Sequence, residues 1–142
     1  MKKVLVVNGP NLNMLGIREP EIYGSLTLDR INEMIADKAK ELSIDVEFYQ
    51  SNVEGELVNA IHGAYNKFDG IIINPGAYSH YSGAIYDALK AVGIPTVEVH
   101  ISNVFSREEH RRNMVTAKAA KGVISGFGVK SYILALEGLF DE

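Results

Sequence analysis

The feature that most constrains the fold of this chain is a regular alternation of short β-branched runs with longer segments of helical periodicity. The runs are bounded by Gly, Pro, Asn or Ser, as strands are, and five are present: Val4–Val7, Val46–Tyr49, Ile71–Ile73, Val97–Val99 and Val123–Ile124. In the intervening segments apolar residues recur every three or four positions, as in amphipathic helices. These segments are Leu28–Leu42, Glu54–Lys67, Ser82–Val92 and Val129–Phe140.

Runs that are apolar at nearly every position indicate strands covered on both faces, which occur in parallel sheets flanked by helices. The pattern therefore predicts an α/β fold, a flavodoxin-like doubly wound sheet of five parallel strands. Thr27 or Ser25 is placed to cap the first helix. The chain has 142 residues, 46% of them hydrophobic, and no linker-like segment divides it. We expect residues 1–142 to form a single domain.

The composition argues against several classes of function. Cysteine is absent, which excludes disulfides, thiolate metal sites and cysteine nucleophiles. The four histidines, His62, His80, His100 and His110, lack the spacing of a zinc site, so no metal is predicted. A net charge of -4 without a basic block argues against nucleic acid or an anionic membrane as a partner. With no apolar run near the ~20 residues that span a bilayer, a cytoplasmic location and a small-molecule ligand are expected.

Two nucleotide-binding motifs are also unsupported. The chain has no Gly-x-x-x-x-Gly-Lys-Ser/Thr sequence, which excludes a P-loop. The segment Gly126–Ser131 imitates the start of a dinucleotide fingerprint, but it lacks the last glycine and follows the final strand. It predicts a tight turn into the last helix.

Polar side chains cluster just after three of the predicted strands, where ligands bind in sheets of this type. Strand one is followed by Asn8–Asn13 and then by a polar stretch that reaches Gly24. That connection is too long for an ordinary strand-to-helix loop, so we expect a lid at about residues 12–25. Strands three and four end in Asn74–His80 and Glu98–Asn103.

Glu98 and His100 are two positions apart on one predicted strand. Their side chains should leave the same face about 6–7 Å apart at the backbone, so they could interact directly or through a relay. A carboxylate that orients an imidazole and favours its protonated form gives a general acid. The alternative is a strand-end histidine that is simply satisfied by hydrogen bonds.

Tyr23 follows Arg18 by five positions in a segment rich in Gly and Pro, so guanidinium and phenol could meet. Lowering the pKa of a tyrosine from about 10 to about 7 requires about 4 kcal/mol of preference for the phenolate. One cation at about 4 Å supplies about that much at an effective dielectric constant of about 20. Burial opposes the shift, so a second cation would help, and Arg107, Arg111 or Arg112 beyond the end of strand four could provide it. A loop tyrosine that packs its ring is the alternative.

The remaining candidates have equally plausible structural explanations. Asn74 and His80 could bind substrate hydroxyls or could simply form the turn around Pro75. Backbone N–H groups after strand four could hold a carboxylate together with a bidentate arginine. The charged run Arg107–Arg112 is, for most of its members, typical of a solvated helical turn.

Six segments, in order over essentially the whole chain, resemble the type II 3-dehydroquinate dehydratase family: Asn8–Gly16, Arg18–Pro20, Tyr23–Gly24, Asn52–Leu57, Asn74–Tyr78 and Glu98–Asn103. The resemblance implies a single catalytic domain that needs no cofactor. The implied reaction is the reversible dehydration of 3-dehydroquinate to 3-dehydroshikimate, in the shikimate pathway of aromatic amino acid biosynthesis. It would be an anti elimination by a hydro-lyase through an enolate.

The resemblance also implies catalytic roles. Tyr23 would be the base that removes a proton beside the ketone, and Arg18 would keep it ionised. Asn11 would hold a water that stabilises the enolate oxygen. His100, paired with Glu98, would protonate the departing hydroxyl.

Substrate binding would depend on a further set of residues implied by the same resemblance. Substrate hydroxyls would be contacted by Asn74, His80 and Arg111. The substrate carboxylate would be held by Ile101 and Ser102. In this family the assembly resembles a homododecamer, a tetramer of trimers, in which Asp87 would reach a neighbouring subunit's site.

Some positions differ from the family pattern. Phe105 and His110 differ around Arg107, which would assist Arg18, and Val53 stands at a position that is often small or histidine. These residues flank the expected site, so they affect the expected contact of Arg107 more than the acid or the base.

Two other functions are known for folds of this kind. The first is a flavodoxin-like module that binds a flavin or another small anion without catalysis, and such a protein would purify yellow. The second is a response receiver, which needs acidic residues at the end of strand one, where this chain has Asn8-Gly9-Pro10. The type I dehydratase, which forms an imine through lysine, is too large a barrel for this length.

Overall fold

The computed structural model describes residues 1–17, 21, 26–109 and 113–140. The strands are β1 (Lys2–Asn8), β2 (Ile44–Gln50), β3 (Gly70–Asn74), β4 (Thr96–His100) and β5 (Gly122–Ser125). The helices are α1 (Leu28–Glu41), α2 (Glu54–Gly63), α3 (Gly83–Val92) and α4 (Lys130–Gly138), with short 3-10 turns at Leu12–Met14, Gly76–His80, Val104–Ser106 and Thr116–Ala119. Predictions for Arg18, Tyr23, Ser25, Arg111 and half of the lid fall outside the described residues.

The five strands form one parallel sheet in the order β2-β1-β3-β4-β5. The prediction of a flavodoxin-like doubly wound sheet is therefore confirmed. Strand order reverses between β1 and β3, and in such sheets the crevice outside the carboxyl ends at that point is the usual ligand site. The register pairs Asn8 with Asn74 there, so two amide side chains stand side by side at the switch point.

Two apolar layers cover the two faces of the sheet. On β1, Val4 and Val6 face one layer and Leu5 and Val7 face the other, because successive strand side chains point to opposite faces. The first layer is built with α1 and α4, and the second with α2 and α3. Each fully buried aliphatic side chain contributes about 1.5–3 kcal/mol, so both layers hold the strand ends in fixed positions.

Local signals set where the helices begin and end. Thr27 caps α1 by accepting a hydrogen bond from Arg30 N at 3.2 Å, and Ser82 caps α3 through Ile85 N at 3.0 Å. The predicted helix to Lys67 was too long, because α2 ends at Gly63 and Asn66 adopts a left-handed φ of 63°, which a helix does not continue. The predicted tight turn before α4 is confirmed by left-handed glycines in Gly126–Ser131.

The loops after β1 and β3 approach each other closely at the switch point. Gly9 N donates to Asn74 O at 2.8 Å, and a Cβ at Gly9 would lie 2.5 Å from the carbonyl oxygen of Pro75. Gly76 has a φ of +60°, and a Cβ there would lie 3.1 Å from Pro10 O. Glycine is therefore required on both sides of the contact.

We expect Gly9→Ala to lower the free energy of unfolding by about 1–3 kcal/mol, because backbone rather than a flexible side chain must move to admit the methyl group. Gly55→Ala is the matched control: nothing lies within 4 Å of a Cβ there, and alanine favours the helix by about 0.5–1 kcal/mol. Urea unfolding at one protein concentration measures both. Equal stability of the two variants would contradict the close approach.

Candidate active site

A cavity of about 190 Å³ opens at the carboxyl ends of β1, β3 and β4. Six of the residues predicted from the sequence line it: Asn11, Asn74, His80, His100, Ile101 and Arg107. A larger groove of about 850 Å³ lies between β2 and α2, but none of those six residues contributes to it. The polar strand ends therefore define the candidate site.

The other predicted residues stand apart from the cavity lining. Asp87 is exposed on α3, and Ser102 is half-buried, with its carbonyl accepting a hydrogen bond from Ser125 Oγ at 3.0 Å. Arg18, Tyr23 and Arg111 belong to the segments that the structure does not describe. The roles predicted for these residues stay predictions.

Glu98 and His100 interact directly. His100 Nε2 lies 2.7 Å from Glu98 Oε2, as expected for neighbours on one face of a strand. The Glu98 side chain has no solvent exposure and accepts two more hydrogen bonds, from Ser79 Oγ at 2.6 Å and Thr116 Oγ1 at 2.5 Å. A buried carboxylate is tolerated only when it is paired and hydrogen-bonded, and three donors meet that need here.

The contact with Glu98 determines which nitrogen of His100 can act. Because Nε2 faces the carboxylate, Nδ1 is the nitrogen left to exchange a proton with a ligand in the cavity. The ring of His80 stacks beside it, with centroids 6.4 Å apart and planes inclined by 23°. His80 Nδ1 donates to Asn113 O at 2.9 Å. Two imidazoles thus share one wall of the site.

The chain that follows the charged run is tied to the loop after β3. Asn113 Nδ2 donates to His80 O at 3.3 Å, and Val115 N donates to Ser79 O at 2.7 Å. These bonds place the Thr116 turn against Glu98. The segment after residue 112 therefore contributes directly to the support of the histidine–glutamate pair.

Asn11 is held at the rim of the cavity in a left-handed conformation, with φ of 70°, which asparagine tolerates better than most residues. Its backbone N–H donates to Asn52 Oδ1 at 2.9 Å. Gln50 Nε2 donates to the same oxygen at 3.2 Å, and Tyr78 Oη donates to Asn52 O at 2.8 Å. Asn52 therefore fixes the backbone that presents the Asn11 side chain.

A buried tyrosine of α4 joins the ends of β1 and β3 through hydrogen bonds. Tyr132, on α4, has no exposed surface; its hydroxyl donates to Asn8 Oδ1 at 2.6 Å and accepts from Asn74 Nδ2 at 3.1 Å. Burial raises the pKa of Tyr132, against the opposing effect of the hydrogen bond from Asn74. The phenol therefore stays a neutral hydroxyl that can donate.

Sequence reasoning missed the residues that support the site: Ser79, Thr116, Asn52, Asn113 and Tyr132. Tyr132 could have been found, because it lies on the apolar face of the closing helix and a buried phenol usually has a hydrogen-bond partner. The hydroxyl and amide residues lie in loops and carry no comparable signal.

Over the parts of the chain that the structure describes, no group of three or more His, Asp or Glu side chains is arranged to bind a metal ion. Within the same residues, no helix has the length and apolarity needed to cross a bilayer.

A parallel α/β sheet with a buried histidine–glutamate pair facing a polar crevice defines a small α/β protein equipped for acid–base chemistry. The model of the family described as dehydroquinase class II matches residues 2–140. The chain belongs to the class II dehydroquinase family.

Individual relatives agree over nearly the full length. The chain is 63% identical over 140 residues to the 3-dehydroquinate dehydratase of Caldicellulosiruptor bescii, covering 98% of this chain and 97% of the relative. The crystal structure of type II dehydroquinase from Butyrivibrio crossotus superposes with a TM-score of 0.95 at 52% identity, covering 97% of each chain. That from Propionibacterium acnes gives 0.93 at 44% identity, covering 96% of this chain and 94% of that one.

We expect Thr116→Val to lower the free energy of unfolding by about 1.5–3 kcal/mol, because a buried carboxylate loses a donor. Thr96→Val is the matched control: Thr96 is equally buried but donates to a neutral carbonyl, Ile94 O, at 2.9 Å, and should lose about 0.5–1.5 kcal/mol. Denaturant unfolding under identical conditions compares them. If Thr116→Val lost no more stability than the control, the hydrogen bond to Glu98 would contribute no more to stability than one to a neutral carbonyl.

Proposed function

We propose that this chain catalyses the reversible dehydration of 3-dehydroquinate to 3-dehydroshikimate, the hydro-lyase step of the shikimate pathway in aromatic amino acid biosynthesis. Family membership and the names of its relatives support this activity. The structural observation that carries it is the buried Glu98–His100 pair facing the polar cavity. A flavin-binding module without catalysis, the alternative from the sequence, is not favoured by the family.

His100 acts as the general acid. A protonated imidazole donates through Nε2 to Glu98 and through Nδ1 towards the cavity, so one proton is held in place and the other is delivered to the departing hydroxyl. Glu98 does not touch the substrate; it orients the ring and balances its positive charge. The hydroxyl leaves as water, and the new double bond is conjugated with the ketone.

Tyr23 acts as the base, with Arg18 keeping its phenol ionised and Arg107 assisting. The phenolate takes the proton beside the ketone, and the electron pair becomes an enolate. A base that works near neutral pH can remove this proton only if the enolate charge is stabilised where it forms. A water held by Asn11 has that role. Arg107 and Asn11 both line the cavity, which supports their part. A lid at about residues 12–25 would exclude water.

The substrate is bound by neutral and cationic donors around the cavity. Asn74 and His80, together with Arg111, contact its hydroxyls. Ile101 and Ser102 hold its carboxylate. The carbonyls of His100 and Ile101 already accept bonds from Gly126 and Gly128, at 3.1 and 3.0 Å, which supports a geometry in which the N–H side of this segment is directed to the ligand.

The chain assembles as a homododecamer, a tetramer of trimers, in which Asp87 completes a neighbouring subunit's site. The exposed position of Asp87 on α3, outside its own cavity lining, supports this assignment. Light scattering should give the mass of a dodecamer of 15.6 kDa chains, and a monomer would contradict it.

We also propose that the reaction takes place in the cytoplasm. Cell fractionation, followed by an assay of each fraction for dehydration of 3-dehydroquinate, would check this.

The direct test is incubation of the purified protein with 3-dehydroquinate while ultraviolet absorbance of the conjugated product is followed. The expected result is a continuous rise in absorbance without added metal or cofactor. A flat trace would discard the enzymatic function, and a yellow protein stabilised by flavin would favour the binding module.

We expect Tyr23→Phe to lower kcat by about 10²–10⁴-fold, the range for loss of a general base, while substrate affinity changes little. Isothermal titration measures the affinity, and the absorbance assay measures kcat. Tyr65→Phe is the matched control, because Tyr65 is 58% exposed and does not line the cavity; it should behave as the wild type. Retained turnover by Tyr23→Phe would eliminate Tyr23 as the base.

A further inference from the structure

The hydrogen bonds around Tyr132 run in a direction that the backbone fixes. Gly76 N–H donates to Asn74 Oδ1 at 3.1 Å, so the Asn74 amide nitrogen must be the atom that faces Tyr132. That nitrogen donates to the phenol oxygen, and the phenol proton therefore goes to Asn8 Oδ1. Each of these polar atoms can act only as the donor or only as the acceptor in its bond, which fixes the orientation of all three side chains.

The polar network lies in the core, where hydrogen-bonded groups add little net stability over apolar ones. Asn8, Asn74 and Tyr132 are 1%, 3% and 0% exposed, and the amide nitrogen of Asn8 has no hydrogen-bond partner in the described part of the chain. Replacing such partners by apolar groups of the same shape can be nearly neutral or even stabilising. A positional requirement at the ends of β1 and β3 explains why polar groups are present there.

That requirement is met where the network reaches the cavity. Asn74 lines the cavity, and its amide nitrogen carries two protons; Tyr132 accepts one and the other can be donated to a ligand. Two fixed points, Gly76 N–H and the Tyr132 hydroxyl, set the amide plane. Without the hydroxyl, the amide would be held at one end only, and its terminal torsion is intrinsically broad.

The neighbouring residue on α4 extends the same support to the acid. Ser131 Oγ donates to His100 O at 3.2 Å, so consecutive residues of α4 contact the end of β4 and the ends of β1 and β3. The first turn of α4 thus links the strand that carries the proton donor to the strands that carry the binding amides.

We propose that Tyr132 is a positioning residue for substrate recognition, whose buried hydroxyl holds the Asn74 amide in the orientation that contacts a substrate hydroxyl. The proposal rests on the proposed function, because it assigns a contact of the same site. Tyr132 itself does not line the cavity and does not touch the substrate.

Tyr132→Phe keeps the ring and removes only the hydroxyl. We expect KM for 3-dehydroquinate to rise about 5- to 15-fold, as for the weakening of one neutral hydrogen bond. We expect kcat to change less than about threefold, because the acid and the base are untouched. An unchanged KM, or a fall in kcat alone, would overturn the proposal.

A double-mutant cycle separates positioning through Asn74 from a general loss of structure. If Tyr132 acts through Asn74, then Tyr132→Phe should add less than about twofold to the KM of Asn74→Ala, because the group being positioned is gone. A general structural effect would multiply the KM equally in both backgrounds. An equal effect would overturn the proposal.

Thr96→Val is the control for removal of a buried hydroxyl, because Thr96 lies at the opposite end of the sheet from the cavity. It should lower stability without changing KM. If Tyr132→Phe does not fold, Asn8→Ala replaces it: without its acceptor the phenol proton can turn towards the Asn74 amide and weaken the bond that the oxygen accepts, so a smaller rise in KM with the same non-additivity is expected. No turnover by the wild type would overturn both proposals; wild-type turnover with unchanged KM in the variants would overturn only this one.

Discussion

The buried carboxylate of Glu98 is the interaction on which the arrangement of the site depends. A charge that is withdrawn from water must be fully hydrogen-bonded, and its donors come from three separate parts of the chain: His100 on the same strand, Ser79 after β3 and Thr116 beyond the charged run. Satisfying one carboxylate therefore brings three segments together. The same contacts place His80, the neighbour of Ser79, against the ring of His100.

A second, uncharged network determines the other side of the cavity. Tyr132 connects Asn8 and Asn74, and the glycine contacts between the loops after β1 and β3 bring those strand ends as close as backbone allows. The two networks meet in α4, because Ser131 donates to the carbonyl of His100. The closing helix is thus part of the support of the site as well as the cover of one face of the sheet, which explains why its apolar face contains a tyrosine.

The sequence was sufficient for the fold, and six of the residues that line the cavity were among those predicted from it. Strand runs that are apolar at nearly every position and helices with clear periodicity predict the doubly wound sheet, and two-residue spacing predicts that Glu98 and His100 lie on one face. The supporting contacts were not predictable, because they join residues far apart in the chain: Thr116 to Glu98 across 18 positions, and Tyr132 to Asn8 across 124. Serine, threonine and tyrosine are common residue types, so only the tertiary structure shows which of them reach the site.

The two halves of the proposed reaction make different physical demands on the protein. Delivery of a proton to a leaving hydroxyl needs an imidazole whose orientation does not change, and a strand end clamped by a buried carboxylate provides that. Removal of the carbon-bound proton needs a phenolate whose charge is tolerated only in the presence of cations and with water excluded. A rigid core site suits the first demand, and the lid proposed for the connection after β1 would suit the second. The proposed acid on β4 and the proposed base in that connection agree with this difference.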